Sequence, residues 1–322
     1  MIGSIFPSLN PCYHSMCIID FLHVTSRMIT LFTSNKEFVL LDNSRHELIV
    51  LFKSSLMKDI RYPSTAITSR SFCIFTDSNL FVISSMWDSA FHIYKFDQNS
   101  LNHVFSMNQN NSLILSLCAL KNNMLLTSWR DSTLILWNLN DIGTNTEPVY
   151  KISPHHDGLT LYDANDDLGL IISCDKTKNI VLSDLVSGQF IRTFHFQKKG
   201  VITNIVLFSS GYVAFATEKS KMDVNITKIC IYSINSNYIG SYKVISKLKC
   251  WCKIEPKSGS QLLALAFENG KINIIRVSSI KEILSYRTDK IVISMNFNQE
   301  LFTCFCVDKE GSIYALDLKP KS

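Results

Sequence analysis

Three stretches of the chain carry residue types whose spacing could do chemistry. Asp163-Ala164-Asn165-Asp166-Asp167-Leu168-Gly169 opens like a calcium loop, in which closely spaced side-chain oxygens converge on a hard cation. The glycine comes one place late for the sixth position of such a loop. The twelfth position is Cys174, where a bidentate glutamate is needed. An acidic turn between strands is the simpler expectation. Cys250-x-Cys252 and Cys304-x-Cys306 would each put two thiols on one face of a strand, because strand side chains alternate with a period of two. Four thiolates could hold zinc, yet both pairs sit among apolar residues in different repeat units, without the short-loop spacing of a zinc site. Ordinary buried thiols are expected there.

His155-His156-Asp157 is the third stretch. No nucleophile elbow accompanies it and no third ligand is evident, so His155 reads best as the residue that opens a repeat, with a surface loop as the second reading. The phosphate-binding loop, the dinucleotide fingerprint, the zinc-protease motif and the kinase signatures are absent from the sequence. No catalytic residue, cofactor or metal is therefore expected, and the chain reads as a non-enzyme.

Charge marks one surface. Between residues 196 and 290 there are 13 Lys and 2 Arg against 6 Asp and Glu, whereas the whole chain is only +5. The segment KLKCWCK combines Lys247, Lys249 and Lys253 with Trp251. Such a patch could meet anionic lipid, at about 1 kcal/mol per lysine near a charged membrane, or an acidic partner. Nucleic acid, which would need phosphate contacts and a stacking ring, is not expected as a partner. Lysines scattered along sheet edges, where they discourage strand-to-strand association, are the plainer expectation.

The elements that must position these residues follow from a repeat of 40 to 50 residues. The clearest unit, LLTSWRDSTLILWNL over residues 125–139, reads as a strand, a tight turn at Arg130-Asp131-Ser132, and a second strand ending near Trp137. A Ser or Thr four residues before a turn Asp, and a large ring six after it, is the WD-repeat signature. Thr127, Asp131 and Trp137 fill its three places. The carboxylate fixes the turn by accepting hydrogen bonds, and the ring seals the packing between neighbouring sheets. The frame recurs with Asp88 and Tyr94 in SSMWDSAFHIY, Asn269-Gly270 in FENGKINII and Glu310-Gly311 in KEGSIYALDL. Weaker copies centre on Asn35, Thr177 and Thr227. The seven anchors are 53, 43, 46, 50, 42 and 41 residues apart, near the length of a four-stranded blade.

The expectation is an all-β WD-repeat propeller filling residues 1–322 as one domain, with seven blades of four antiparallel strands. The approximate blades are 16–55, 60–106, 107–152, 153–197, 198–245, 246–287 and 288–319. Asp88 and Asp131 are expected to matter for folding, with Asp131→Ala costing about 1–3 kcal/mol. The length allows a core without disulfides. Ten dispersed cysteines fit free thiols in a reducing cytosol, so the sequons at Asn110 and Asn225 carry little weight. The longest apolar runs fall short of a membrane span, and Pro7, Asn10 and Pro11 interrupt any signal peptide.

Three of these units narrow the resemblance. SSMWDSAFHIYKF resembles the segment in which BEACH-domain proteins of the neurobeachin and beige type write Trp-Asp-x-Ser-Phe after their BEACH domain. SWRDSTLILWNL is similar to their Ser-Arg-Asp-x-Thr-Leu-x-x-Trp unit. HHDGLTLYDANDDLGLIISCDKTKNIVLSDLVSGQFIRTF resembles their next blade, with its Leu-Gly-Leu-x-Ile-Ser core and Gly-x-hydrophobic-x-Arg-x-hydrophobic ending. The similarity covers residues 72–194. It implies the C-terminal propeller of a cytoplasmic membrane-trafficking scaffold, peripheral to endosomal or lysosomal membranes, with protein partners that include a BEACH domain in the same polypeptide. That domain is not within these 322 residues, so what it does is not carried onto them. A stand-alone WD adaptor in another complex is the alternative. A hydrolase or dehydrogenase propeller would need metal or cofactor ligands converging at its centre.

Overall fold

A computed structural model describes residues 18–24, 28–33, 37–42, 49–56, 71–84, 89–108, 112–141, 147–194, 196, 200–221, 224–257, 259–308 and 310–318. They form seven successive antiparallel sheets and, among the described residues, no α-helix. Blade 1 holds β1 (Ile18–Val24), β2 (Met28–Thr33), β3 (Glu37–Asp42) and β4 (Ile49–Ser55), and blade 2 holds β5 (Phe72–Phe75), β6 (Leu80–Ser84), β7 (Phe91–Phe96) and β8 (Leu101–Met107). Blade 3 is β9 (Ile114–Ala119), β10 (Met124–Trp129), β11 (Leu134–Asn138) and β12 (Tyr150–Ile152); blade 4 is β13 (Leu159–Asn165), β14 (Leu170–Asp175), β15 (Ile180–Asp184) and β16 (Phe190–Phe194). Blade 5 follows with β17 (Val201–Leu207), β18 (Tyr212–Lys221), β19 (Val224–Ser233) and β20 (Tyr238–Val244). Blade 6 comprises β21 (Leu248–Ile254), β22 (Leu262–Phe267), β23 (Lys271–Arg276) and β24 (Lys281–Arg287). In blade 7, β25 (Val292–Asn298), β26 (Thr303–Asp308) and β27 (Ile313–Asp317) are the strands among the described residues. This is the architecture of a seven-bladed β-propeller.

The burial of each strand follows its place in the blade. Second strands such as Leu-Leu-Ala-Leu-Ala-Phe of β22 are buried at every position, because both faces of the sheet are covered. Fourth strands such as β8, β16 and β24 are mostly exposed. The apolar runs of the sequence therefore mark the middles of blades, and the polar segments mark their outer edges.

The chain divides into two compact units. One is Met1–Ser69, Asp97–Leu101 and Ser246–Ser322; the other is Arg70–Phe96 and Asn102–Ile245. Within the second unit the period of two sends alternate residues of a middle strand to opposite neighbours. Leu125 and Trp129 of β10 pack with Val82, Phe91 and Ile93 of blade 2. Leu126, between them, packs with Leu159 and Ile171 of blade 4. Ile172 and Cys174 of β14 then meet Val213, Phe215 and Tyr232 of blade 5. In the first unit, Cys304 and Cys306 of β26 face Ala264, Ile272 and Ile274 of blade 6, while Phe305 and Val307 face Ile29, Leu31 and Val39 of blade 1.

The first strands of blades 4 to 7 each carry one residue without a partner on the second strand: Thr160, Thr203, Lys249 and Ile293. Such a bulge increases the local twist and re-aims the extra side chain. Thr160 and Thr203 turn their hydroxyls onto the carbonyls of Cys174 and Ala216, at 2.9 and 3.4 Å.

Candidate functional site

The repeat turns are the most densely bonded polar sites. In blade 3 Thr127 is fully buried, and its hydroxyl oxygen accepts the indole N–H of Trp129 at 2.8 Å and that of Trp137 at 3.0 Å. The same hydroxyl donates to the carbonyl of Ile135 at 3.2 Å, so its one proton and its lone pairs are all used. The Trp137 ring stands edge-on to Phe91 of blade 2 with centroids 5.4 Å apart, which seals that interface. Asp131 accepts from the Thr133 amide at 3.2 Å and from the Thr133 hydroxyl at 2.6 Å, at the more exposed end of the turn. Asn269 plays the same part in blade 6, taking the Lys271 amide at 3.1 Å.

Blades 4 and 7 place the turn-holding carboxylate two residues before the expected anchor. Thr177 is a donor there. Asp175 accepts from the Thr177 amide and hydroxyl at 2.9 and 2.8 Å and from the Asn179 amide and side chain at 2.8 and 3.0 Å. In blade 7 the fully buried Asp308 accepts from the amides of Glu310 and Ser312 at 2.8 and 2.9 Å and from the Tyr314 hydroxyl at 2.6 Å. Burial and that bond push the Tyr314 phenol up to about 12. The Glu310 carboxylate instead pairs with Lys290 across the turn. Thr227 is also displaced from its expected role. It is buried inside β19 opposite Glu218, because the arms of this hairpin run on to Lys221 and Val224. Asn35 and Asp88 lie outside the described residues. The sequence signal for the two missed aspartates is an Asp closing an apolar run with a hydrogen-bonding residue two places on, as in Asp175-x-Thr177 and Asp308-x-Glu310.

His155 completes the blade 4 turn. Its Nδ1 lies 3.5 Å from Asp175 Oδ2 and its Nε2 is 2.9 Å from the Ser173 hydroxyl. The carboxylate lies on the Nδ1 side of the ring, and the Ser173 hydroxyl also reaches the Val181 carbonyl at 3.5 Å. Aspartate, histidine and serine stand in the order of a nucleophilic triad. All three are nevertheless at least 95 % buried, so no substrate reaches the hydroxyl. Burial lowers the His155 pKa despite the opposing pull of Asp175. For Asp175, burial works upward, but the bonds from Thr177 and Asn179 and the neighbouring His155 win and hold it below the usual carboxylate value.

The other sequence candidates are spent on structure. Asp163 accepts the Leu207 amide at 2.7 Å, Asn165 the Leu168 amide at 3.0 Å and Asp166 the Lys121 amide at 3.2 Å, while Asp167 pairs with the Lys121 ammonium. Their oxygens point to separate partners and share no cation position. The two Cys-x-Cys pairs, placed in different repeats, do meet in the core between blades 6 and 7, where the Cys252 and Cys304 thiols donate to the carbonyls of Lys253 and Phe305 at 3.4 and 4.0 Å. The neighbouring Cys304 and burial push Cys252 well above the ordinary thiol value. At Cys304 the neighbouring Cys252 works downward, but Cys306 and burial prevail and drive it well up. Burial thus favours the protonated thiol at Cys252 and Cys304. Among the described residues no three His, Cys, Asp or Glu side chains could share a metal ion.

The basic segment lies on β21. Lys249 is 2.7 Å from Glu268 and Lys253 is 3.0 Å from Glu255, so two of its three lysines are compensated. Trp251 is half-buried beside them, and Lys247 offers its carbonyl to the Glu268 amide at 2.9 Å. The larger basic face is on blade 5. The register puts Lys219 opposite Ile226 and Lys228 opposite Lys243, which places all three lysines on one face. None of the three is in an ion pair among the described residues.

A cleft of about 250 Å³ opens where the first connections of blades 2, 3 and 4 approach one another. Phe75 and Leu120 form its apolar floor, and Asp77, Lys121, Asn122 and Asp166 its polar wall. Asn122 and Asn123 both hold positive φ, 57° and 56°, a conformation asparagine tolerates. Asn123 accepts from Ser78 at 2.7 Å and donates to Asn140 at 2.7 Å, which ties the wall to the neighbouring turns.

No protein-family model matches the sequence, and no curated protein matches it. Among solved structures, the crystal structure of the WD40 β-propeller domain of Doa1 is similar over 99 % of this chain and 98 % of that one, with a TM-score of 0.70 and 11 % identity. The chain has the WD40 propeller fold. At that identity the likeness reaches the fold and stops there.

Proposed function

We propose that this WD40 propeller is a non-catalytic interaction platform whose protein partner docks at the loop cleft of blades 2 to 4. It would act as the C-terminal propeller of a BEACH-type trafficking scaffold in the cytoplasm, at endosomal or lysosomal membranes. The observation that carries the first half is the fate of the reactive groups. The Asp175-His155-Ser173 set is buried as a turn, and the Cys252 and Cys304 thiols lie in a core. The cleft combines an apolar floor with a rigid polar wall, the composition of a recognition site. The resemblance of SSMWDSAFHIYKF and SWRDSTLILWNL to the blades of BEACH-domain proteins supports the second half. Lys219, Lys228 and Lys243 supply a face suited to anionic lipid.

Two measurements test the reading. Sequencing the full transcript is expected to find a BEACH domain upstream in frame; a transcript that opens at Met1 overturns the trafficking assignment. Co-purification with Lys121→Glu/Asp77→Lys, a pair of exposed changes, is expected to lose a partner that the wild type retains. An unchanged partner set removes the cleft from the proposal.

A further inference from the structure

Away from the repeat turns, two imidazoles of blade 2 converge on one point. His92 lies on β7 and His103 on β8. The Ser106 hydroxyl oxygen is 2.7 Å from His92 Nδ1 and 2.8 Å from His103 Nε2. A hydroxyl has a single proton to give, so one ring nitrogen accepts it while the other donates its own. Both nitrogens thus face a common position that one small neutral group now fills.

The rings are near enough to share an ion. Their centroids are 6.0 Å apart with planes inclined at 53°. Two imidazoles bonded to one tetrahedral ion at about 2.0–2.1 Å place their centroids about 5 Å apart, so the exposed His103 ring draws inward by about 1 Å on binding. Both rings are also held. His92 is 7 % exposed, and His103 rests edge-on against Tyr94 with centroids 5.3 Å apart, Tyr94 itself being buried. The buried His92 ring, fixed in advance, loses little freedom on binding, which favours a metal site. His103 and Ser106 are exposed on the outer strand, so an ion can enter.

We propose that His92, His103 and Ser106 form a binding site for a divalent transition-metal ion that prefers imidazole, with zinc as its representative. Binding is acid–base in kind. The proton on the nitrogen that donates to Ser106 moves to the other nitrogen of its ring, both inward lone pairs go to the ion, and no electron is transferred. The Ser106 oxygen serves as a weak neutral third ligand. The remaining positions are open to water or to a donor from a docked protein, which suits an ion held at a surface. Calcium and magnesium are excluded by donor type, since they take oxygen ligands.

The test is calorimetric titration of the chelator-treated full chain with zinc, repeated with His103→Ala, an exposed change whose fold is checked by circular dichroism. The cobalt(II) spectrum of the same samples reports the ligands. The expected result is about one equivalent bound with micromolar affinity, weakened at least about tenfold in His103→Ala. The cobalt spectrum should show no thiolate charge transfer. Absence of uptake, equal uptake by His103→Ala, or a thiolate spectrum that accounts for the bound ion would each overturn the site.

Discussion

At the scale of single residues, one hydroxyl organises the centre of blade 3. Thr127 accepts from two indoles that are both within a core cluster, so Thr127→Val keeps the shape and orphans two buried donors. A buried donor without a partner costs about 1–3 kcal/mol, so a loss of about 2–4 kcal/mol is expected from urea unfolding. The aspartates should rank by burial. Asp131 holds one exposed turn and its alanine variant should cost about 1 kcal/mol. Asp308→Ala frees two amides and a phenol and should cost about 3 kcal/mol. Equal costs would refute the view that Asp308 is the turn-holder of blade 7. Acid should act through His155 and Asp175. Both hold fewer protons when folded than when unfolded at the same pH, since both folded pKa values are lowered. Stability is then highest above the unfolded histidine value of about 6.5 and falls as pH drops below it. A second loss from Asp175 sets in below about 4. His155→Gln should flatten the melting temperature between pH 7 and pH 5. A profile as steep as that of the wild type would mean that other groups titrate there.

At the scale of elements, the turns on either side of the third strand of blade 6 test the backbone. Ile280 closes β23 to β24 with φ of 56°, a left-handed conformation that a β-branched residue resists. Its amide donates to the Arg276 carbonyl at 2.8 Å, and a glycine keeps that bond while removing the strain. Ile280→Gly should therefore raise the melting temperature, by about 1 kcal/mol of added stability. Gly270 is the opposite case. It has φ of 77°, and a Cβ there would overlap the Thr288 carbonyl oxygen, whose own amide bonds back to Gly270 at 2.9 Å. Gly270→Ala should destabilise blade 6 by at least about 1 kcal/mol. A neutral result would deny the hairpin its geometry. These elements also show what could be read in advance. Spacing and the period of two are local, so the strands of blades 3 and 6 and the turn at Asn269-Gly270 were legible. The frame of Asp131 does not transfer to blades 4 and 7, because a carboxylate at the end of the second strand can reach the same amides from two residues earlier. The meeting of Cys252 with Cys304 depends on blade packing across 52 positions, which no local pattern encodes.

At the scale of the whole molecule, net charge conceals where the charge is free to act. The richest basic string in the sequence, Lys247 to Lys253, is largely compensated by Glu268 and Glu255. Blade 5 does the reverse. Lys228 and Lys243 are directly opposed across neighbouring strands, an arrangement of like charges that is unfavourable in isolation. Lys219 shares their face. An anionic surface would relieve that repulsion at about 1 kcal/mol per lysine, roughly a fivefold change in binding for each. Flotation with vesicles containing phosphatidylserine should show Lys219→Glu/Lys243→Glu weakened by more than about tenfold. Lys249→Glu/Lys253→Glu should change little, because those lysines already spend their charge on glutamates. Raising the salt should erase the difference, since exposed charges are screened beyond about 8 Å at physiological ionic strength. If the β21 variant is the one that fails to bind, the membrane-facing side of the propeller is blade 6. If neither variant matters, the lysines of blade 5 serve solubility, and membrane attachment must come from a partner held at the loops.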